Sequence, residues 1–349
     1  MTKEKLNSEQ LFESPEVFQK IFVAGLPTLL EDKGLGSFIL VLANAIWSEA
    51  WFEPLRTPLT ETFDELSQEL QLALRHGDAK NFAEDDLMVF LKLHLSGFQS
   101  LNLVQHRLVG PWQVQFNHLR SFRPQRMTHQ VAPPMKMAFD ERAFHFDKTF
   151  LRKESLWEGA LQGLHASLYY NKYPFTDFHC LLIPEKTKHH AQYLTKSMHE
   201  YLWQLNETLG RTFPHLKFGY NSLGAYASVN HLHVQMILKE TPFPVEQLQW
   251  DHLGGADAYP ITTQVLTNAG DAWDFITHNQ QLQQPFNLLY TPGRVFAWAR
   301  KAQGTYVQPD WTAGFTWFEL AGSFITFNAA HFQAMEAGKI QSALAALHV

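Results

Sequence analysis

The 349-residue chain has a single cysteine, Cys180. No intramolecular disulfide can form, and neither a disulfide-rich secreted scaffold nor a zinc site built from several thiolates fits. Charge is sparse as well. Asp, Glu, Lys and Arg make up 18% of residues and the net charge is −6, against about 25% charged in an average soluble domain. That balance argues against a nucleic-acid binder relying on bulk positive charge, although it leaves room for a local basic pocket. Long hydrophobic runs are missing. The most apolar early stretch, residues 35–47, falls short of the roughly 20 residues a bilayer span needs. The first eighteen residues lack the basic-then-apolar pattern of a secretory signal. Internal repeats, low-complexity tracts and linkers are not visible either. These absences set the expectation of a soluble cytoplasmic protein with no membrane or nucleic-acid partner.

What is present suffices for a large core: 45% of residues are apolar and 14% aromatic. The length corresponds to two domains or one large one. Residues 1–105 read as mainly helical, with a Leu/Glu/Gln-rich stretch around Leu66–Leu74 and a loop at Arg75-His76-Gly77-Asp78. A further helix over 87–95 follows Asp85 and Asp86 and ends near Gly97. The texture changes near Leu108-Val109-Gly110-Pro111. Residues 112–117 alternate like a strand, 161–170 have helical character, and 179–183 form a short apolar run stopped by Pro184, as a buried strand would. Residues 192–209 read as a long helix, 218–220 and 231–238 as strands, and 342–347 as a last helix. Strands and helices mix without a regular βαβ rhythm, so the expected class is α+β, with a helical region over 1–105 and a second unit over 106–349.

The chemistry concentrates in Asn221-Ser-Leu-Gly-Ala-Tyr-Ala-Ser-Val-Asn230 and the run after it, His231-Leu-His233-Val-Gln235-Met-Ile-Leu238. On a strand, side chains alternate faces. His231, His233 and Gln235 would then share one side, and Leu232, Val234, Met236 and Leu238 an apolar other side. Neutral imidazole is a nucleophile able to hold a covalent intermediate. A carboxamide beside it can donate to a phosphate oxygen without changing charge. The small residues Gly224, Ala225, Ala227 and Ser228 let backbone N–H groups approach an anion. Together they suit attack on phosphorus. The plainer readings stay open at this point. A His-x-His is ordinary in a chain with 18 histidines, and two same-face imidazoles can share a metal, although no adjacent carboxylate or thiolate completes a set.

His231-Leu-His233-Val-Gln235 resembles the active-site strand of the histidine-triad superfamily, in the branch with Gln at the third triad position. The longer string from Phe218 to Gln235, followed by Pro242-Phe-Pro-Val-Glu246, resembles the GDP-hexose phosphorylases, the plant GDP-L-galactose and animal GDP-D-glucose enzymes. Asn171-Lys-Tyr-Pro174 with His179-Cys-Leu-Leu-Ile-Pro184 is similar to the family's segments. So are Gln115-Phe-Asn117 with Arg120 and Arg123-Pro124, Phe139-Asp140 with Phe144-His-Phe146 and Lys148, and Phe318-Glu-Leu-Ala-Gly322. The resemblance covers about residues 105–349. Two departures stand out: Phe178 occupies a position that is commonly Gly, and Asn117 lies closer to Arg123-Pro124 than in the plant enzymes.

The resemblance implies a histidine-triad-like antiparallel sheet flanked by helices. It implies His233 as nucleophile, His231 as an orienting group and Gln235 as holder of a non-bridging phosphoryl oxygen. Asn221, Ser222 and Gly224 would form a phosphate loop, with a plain turn as the alternative. Asn171 and Lys172 would touch nucleotide or phosphate, or else lie on a surface loop. Arg120 and Arg123 would grip the diphosphate, while Arg126 reads as part of a solvated face. His179 would sit beside the active strand or be a satisfied core histidine. His189 and His190 are expected to face solvent, and Cys180 to be an inert buried thiol. The partners implied are a nucleotide sugar and inorganic phosphate, with no cofactor and no metal. A dinucleoside polyphosphate phosphorylase and a catalytically silent nucleotide-binding module are the alternatives.

Overall fold

The computed structural model describes residues 6–78, 82–123 and 132–349. Five helices come first: α1 (Ser8–Leu11), α2 (Pro15–Leu30), α3 (Leu35–Ala45), α4 (Glu49–His76) and α5 (Glu84–Ser96). Helix α2 starts where the Ser14 side chain accepts the Val17 N–H, with Pro15 in the first turn. The apolar run noted in the sequence is α3, buried on nearly every side at the centre of the helical region. That is the use of a helix that is hydrophobic all round. Arg75 and His76, expected in a loop, instead complete α4. Gly77 at φ +74 ends it, and the Asp78 N–H closes back onto the Ala73 carbonyl at 2.9 Å. Glu84, Asp85 and Asp86 fill the first turn of α5, where the helix dipole favours acids.

The remaining elements follow in chain order: β1 (Gln105–Val109), β2 (Trp112–Phe116), α6 (His118–Ser121), β3 (Ser155–Leu161), β4 (Leu164–Tyr170), β5 (Cys180–Pro184), α7 (Lys196–Leu209), β6 (Leu216–Asn221), β7 (Val234–Leu238), β8 (Gln264–Leu266), α8 (Ala269–Gln281), β9 (Phe286–Thr291), β10 (Arg294–Ala299), α9 (Trp317–Leu320), β11 (Ser323–Thr326), α10 (Ala329–Ala334) and α11 (Ala337–Ala345). Eight strands form one sheet, in the order β3-β4-β5-β7-β6-β9-β10-β8. Every pairing in it is antiparallel. A smaller sheet, β1-β2-β11, pairs β2 with β11 in parallel. The class is α+β, as expected.

Two sequence readings need correction. Residues 161–170 are not helical but lie in a β3–β4 hairpin. Gln162 (φ +48) and Gly163 (φ +85) make its two-residue turn, and Leu161 pairs with Leu164. Two consecutive positive φ values match the twist of a hairpin, whereas a helix forbids them. The strand expected over 231–238 begins only at Val234. The N–H of His233 is taken by Gln192 Oε1 at 2.9 Å, and its carbonyl by Gln192 Nε2 at 3.1 Å. A side-chain amide thus replaces the neighbouring strand at this residue.

The large sheet has a core on each face. One joins α1–α5 and α7 to Leu168, Leu182, Phe218, Leu232, Val234, Met236 and Leu238. The other joins Ile237, Leu289, Phe296 and Trp298 to β2, α9 and α11. The helical region is also tied to the sheet by polar contacts. Tyr170 Oη donates to the Phe22 carbonyl at 2.8 Å, and Lys172 pairs with Asp86 at 3.1 Å. Phe178, at the position commonly Gly in the resembled family, has φ +49. That left-handed geometry costs a non-glycine residue about 1–2 kcal/mol. The Phe178 ring offsets the cost by packing against Phe22 and Trp51, with centroids 5.4 and 4.7 Å away. Among the described residues, no helix is long and apolar enough to cross a membrane.

Candidate active site

His233 sits just before β7, on the face opposite the helical core. Its ring Nδ1 lies 2.7 Å from the His231 carbonyl oxygen. A carbonyl only accepts, so Nδ1 carries the proton, and the neutral ring keeps its lone pair on Nε2. Burial drives the pKa of His233 down to about 4, against the opposing pull of that hydrogen bond. The ring is therefore neutral at physiological pH. Attack through Nε2 would make it cationic, and the bond to the His231 carbonyl would then strengthen.

His231 is held the other way round. Its Nδ1 accepts the Phe146 N–H at 3.1 Å, which places its proton on Nε2. Burial first, then the imidazoles of His233, His145 and His189, take its pKa down to about 4. The Phe146 ring lies 5.8 Å from His231 and 5.0 Å from His233, so the two imidazoles flank one aromatic ring. Around His231 also stand Phe139, His145 and His189. His189 and His190, expected to face solvent, are about one-third exposed, and each is also held by a partner. His189 stacks on Phe139 at 4.6 Å and reaches Asp147 at 3.2 Å, while His190 Nε2 lies 3.3 Å from Glu185. The segment around residues 137–146 thus straps the histidines down. Asn230 Nδ2 adds a bond to the Ala138 carbonyl at 2.8 Å.

Gln235 follows on β7, paired with Gly219 of β6 and Leu181 of β5. Its Oε1 accepts the indole N–H of Trp317 at 2.5 Å. The loop from β6 supplies the remaining expected residues. Asn221 Oδ1 accepts from Asn287 Nδ2 at 2.6 Å and from the Trp317 backbone N–H at 3.0 Å. Ser222 is fully buried. Its Oγ accepts the Phe286 N–H at 3.0 Å, and its carbonyl receives the Ala225 and Ala227 N–H groups. Gly224 turns at φ +81, and a Cβ there would stand 2.9 Å from Pro285. The side-chain oxygens of Asn221 and Ser222 are thus used to shape the loop.

A second polar group lies beyond Trp317. The Phe175 ring is 5.6 Å from Trp317 and 4.1 Å from His179. His179 is fully buried; its Nδ1 accepts the Phe175 N–H at 3.3 Å, and its Nε2 lies 3.1 Å from Asn171 Nδ2. Burial, and then Arg120, hold its pKa well below the usual histidine value. Arg120 donates to the Tyr173 carbonyl and lies over Phe175 at 5.7 Å. Burial lowers its pKa to about 9, which leaves it charged at neutral pH. Arg123 lies over the Tyr173 ring at 4.9 Å. On α9, burial raises the Glu319 carboxyl to about 7, even though Thr316 N–H and Oγ hydrogen-bond to it.

Of the residues singled out from the sequence, His231, His233, Gln235 and Asn221 come together. Ser222 and Gly224 build the adjoining turn. Asn171, His179, Arg120 and Arg123 form the second group. Lys172 turns toward α5 and pairs with Asp86, with Glu154 at 4.0 Å. Arg126 lies outside the described residues. Cys180 is a buried free thiol whose pKa burial pushes well up. Among the described residues no three His, Cys, Asp or Glu side chains converge as a metal set.

Three contributors were not read from the sequence: Gln192, Asn287 and Trp317. Trp317 directly precedes the Phe318-Glu-Leu-Ala-Gly322 segment, which was a usable signal. Gln192 and Asn287 carry no local one, because their roles depend on partners tens of residues away.

The family described as GDPGP1-like, N-terminal domain, matches residues 106–237. GDP-D-glucose phosphorylase 1 of Danio rerio is 34% identical over 121 residues, which are 34% of this chain and 34% of that protein. GDP-L-galactose phosphorylase 1 of Arabidopsis thaliana is 53% identical over 34 residues, 10% of this chain and 8% of that protein. The chain therefore spans about a third or less of the length of these curated relatives. Among solved structures, the yeast Ap4A phosphorylase Apa2 aligns with 75% of this chain and 93% of its own, at 14% identity and a TM-score of 0.48. The family resemblance read from the motifs is the one that the sequence matches return.

Proposed function

We propose that this chain is a cytoplasmic GDP-hexose phosphorylase, with a histidine-triad-like catalytic unit over 106–349 and a helical region before it. His233 Nε2 attacks the α-phosphorus of a GDP-hexose. A P–N bond forms as the P–O bond to the sugar phosphate breaks, and hexose 1-phosphate leaves. A guanylyl-histidine remains. An oxygen of inorganic phosphate then attacks the same phosphorus, the P–N bond breaks, and GDP departs. Gln235 donates to a non-bridging oxygen of the transferring group. It cannot act as an acid near neutral pH, so it suits transfer rather than protonation of a leaving group. Arg120 and Arg123 supply positive charge toward the diphosphate. Asn171, with His179 behind it, borders the same region.

The observation that carries this reading is the tautomer of His233. Its Nδ1 proton is committed to a backbone carbonyl at 2.7 Å, and burial keeps the ring neutral. This leaves Nε2 as a nucleophile beside a carboxamide. The test is a phosphorolysis panel of GDP-hexoses, UDP-hexoses and diadenosine tetraphosphate. The expected result is phosphate-dependent release of GDP and hexose 1-phosphate from a GDP-hexose. Turnover of diadenosine tetraphosphate alone would move the assignment to adenine dinucleotides. Stabilisation by GDP with no turnover of any substrate would make the chain a silent binding module.

A further inference from the structure

An indole N–H can only donate, so the end of the Gln235 amide that faces Trp317 Nε1 at 2.5 Å is its oxygen. This contact settles which way round the amide stands, a choice that side-chain amides rarely make plain. Its Nε2, the donor end, is left pointing away from the indole. Without the indole the amide could turn over and present its oxygen, an acceptor that repels an anionic phosphoryl group.

Trp317 is itself fixed at two points. Its side chain is completely buried, and its backbone N–H donates to Asn221 Oδ1 at 3.0 Å. That oxygen is anchored in turn by Asn287 Nδ2 at 2.6 Å. The indole lies across Gly219, the residue that pairs with Gln235 on the neighbouring strand. A Cβ at Gly219 would stand 1.9 Å from Trp317 Cε2. Only glycine leaves room for the ring over the strand next to the amide. Four residues from three elements, Gly219, Asn221, Gln235 and Trp317, thus converge on one hydrogen bond.

We propose that Trp317 is a positioning residue. Its indole N–H locks the Gln235 carboxamide with the NH2 group toward the transferring phosphoryl group. Gly219 provides the space, and Asn221 with Asn287 the anchor. The proposal rests on the phosphorylase reading for its kinetic consequence, while the geometry can be read independently of turnover.

The test compares Trp317→Phe, Gln235→Met and the double variant. Trp317→Phe keeps an aromatic ring and removes the donor. Its kcat should fall about 10- to 100-fold, with KM for the GDP-hexose within about twofold, the pattern of an interaction made in the transition state. Because Trp317 acts through Gln235, the double variant should be no slower than Gln235→Met alone. Independent, additive losses would show a merely structural tryptophan, and an unimpaired Trp317→Phe would overturn the proposal. A second measurement does not depend on Trp317→Phe folding well. In 15N-labelled protein, the Trp317 indole N–H signal should shift and exchange faster with solvent in Gln235→Met than in the unmodified chain. An unmoved signal would overturn the lock while leaving the phosphorylase reading standing. A chain inert on every GDP-hexose would overturn that reading, while the indole signal would still report the lock.

Discussion

The two faces of β7 and its lead-in divide the work between them. Leu232, Val234, Met236 and Leu238 are each at most 3% exposed and belong to the core shared with the N-terminal helices. The opposite face carries His233 and Gln235: Gln192 holds the His233 backbone, the His231 carbonyl takes the ring Nδ1 proton and Trp317 donates to Gln235 Oε1, while the Nε2 atoms of both side chains stay outside these contacts. The first face needs only shape and apolarity. On the second, each buried polar group costs on the order of 1–3 kcal/mol if left unpaired. The apolar face anchors the segment, and the hydrogen-bond partners decide tautomer and orientation. Under the proposed function, a ring held in this way has little freedom to lose when substrate arrives.

The comparison breaks most sharply at His233. His233→Asn should lower phosphorolysis by at least ~10³-fold, as loss of a covalent nucleophile does, while the melting temperature stays within a few degrees. The unmodified chain, given GDP-hexose labelled at the α-phosphate and no inorganic phosphate, should yield an acid-labile, base-stable histidine adduct that the variant lacks. Undiminished turnover in the variant would show that the reacting group lies elsewhere.

The other face should respond in the opposite way. Met236→Ala should cost about 2–5 kcal/mol in urea unfolding, with kcat per folded molecule changed less than tenfold. A collapse of kcat with little loss of stability would erase the division between the faces.

The mildest effect is a pH dependence of stability. The folded pKa values of His231 and His233 lie near 4, below about 6.5 for the unfolded chain. Between these values the unfolded state binds more protons, so their contribution is complete above pH 6.5 and is lost as pH falls toward 4. By pH 5 the loss should be about 2 kcal/mol per imidazole. Urea midpoints at pH 7 and pH 5 measure it, and His233→Asn should show the shallower drop. Equal drops in both proteins would place the pH sensitivity outside this ring.

Much of this was legible along the chain because it depends on neighbours in sequence. The helical character before residue 97, the helix over 87–95 and the apolar alternation from Leu232 to Leu238 all follow from local periodicity and residue type. Residues 161–170 were misread as helical because Leu and Tyr suit either state, and the Gln162-Gly163 turn was the decisive signal. The break before Val234 could not be read locally. It depends on Gln192, 41 residues away in sequence from His233.

The sequence by itself determined an α+β chain with an imidazole pair and a carboxamide at fixed spacing, since strand alternation and residue chemistry need no distant partner. Only the tertiary structure decided which nitrogen of His233 is free, which end of Gln235 faces outward, and that Lys172 faces α5. Those outcomes depend on single hydrogen bonds and ion pairs that exist only in the folded chain: the His233 ring turns onto a carbonyl two residues back, while Gln235 and Lys172 meet partners more than eighty residues away.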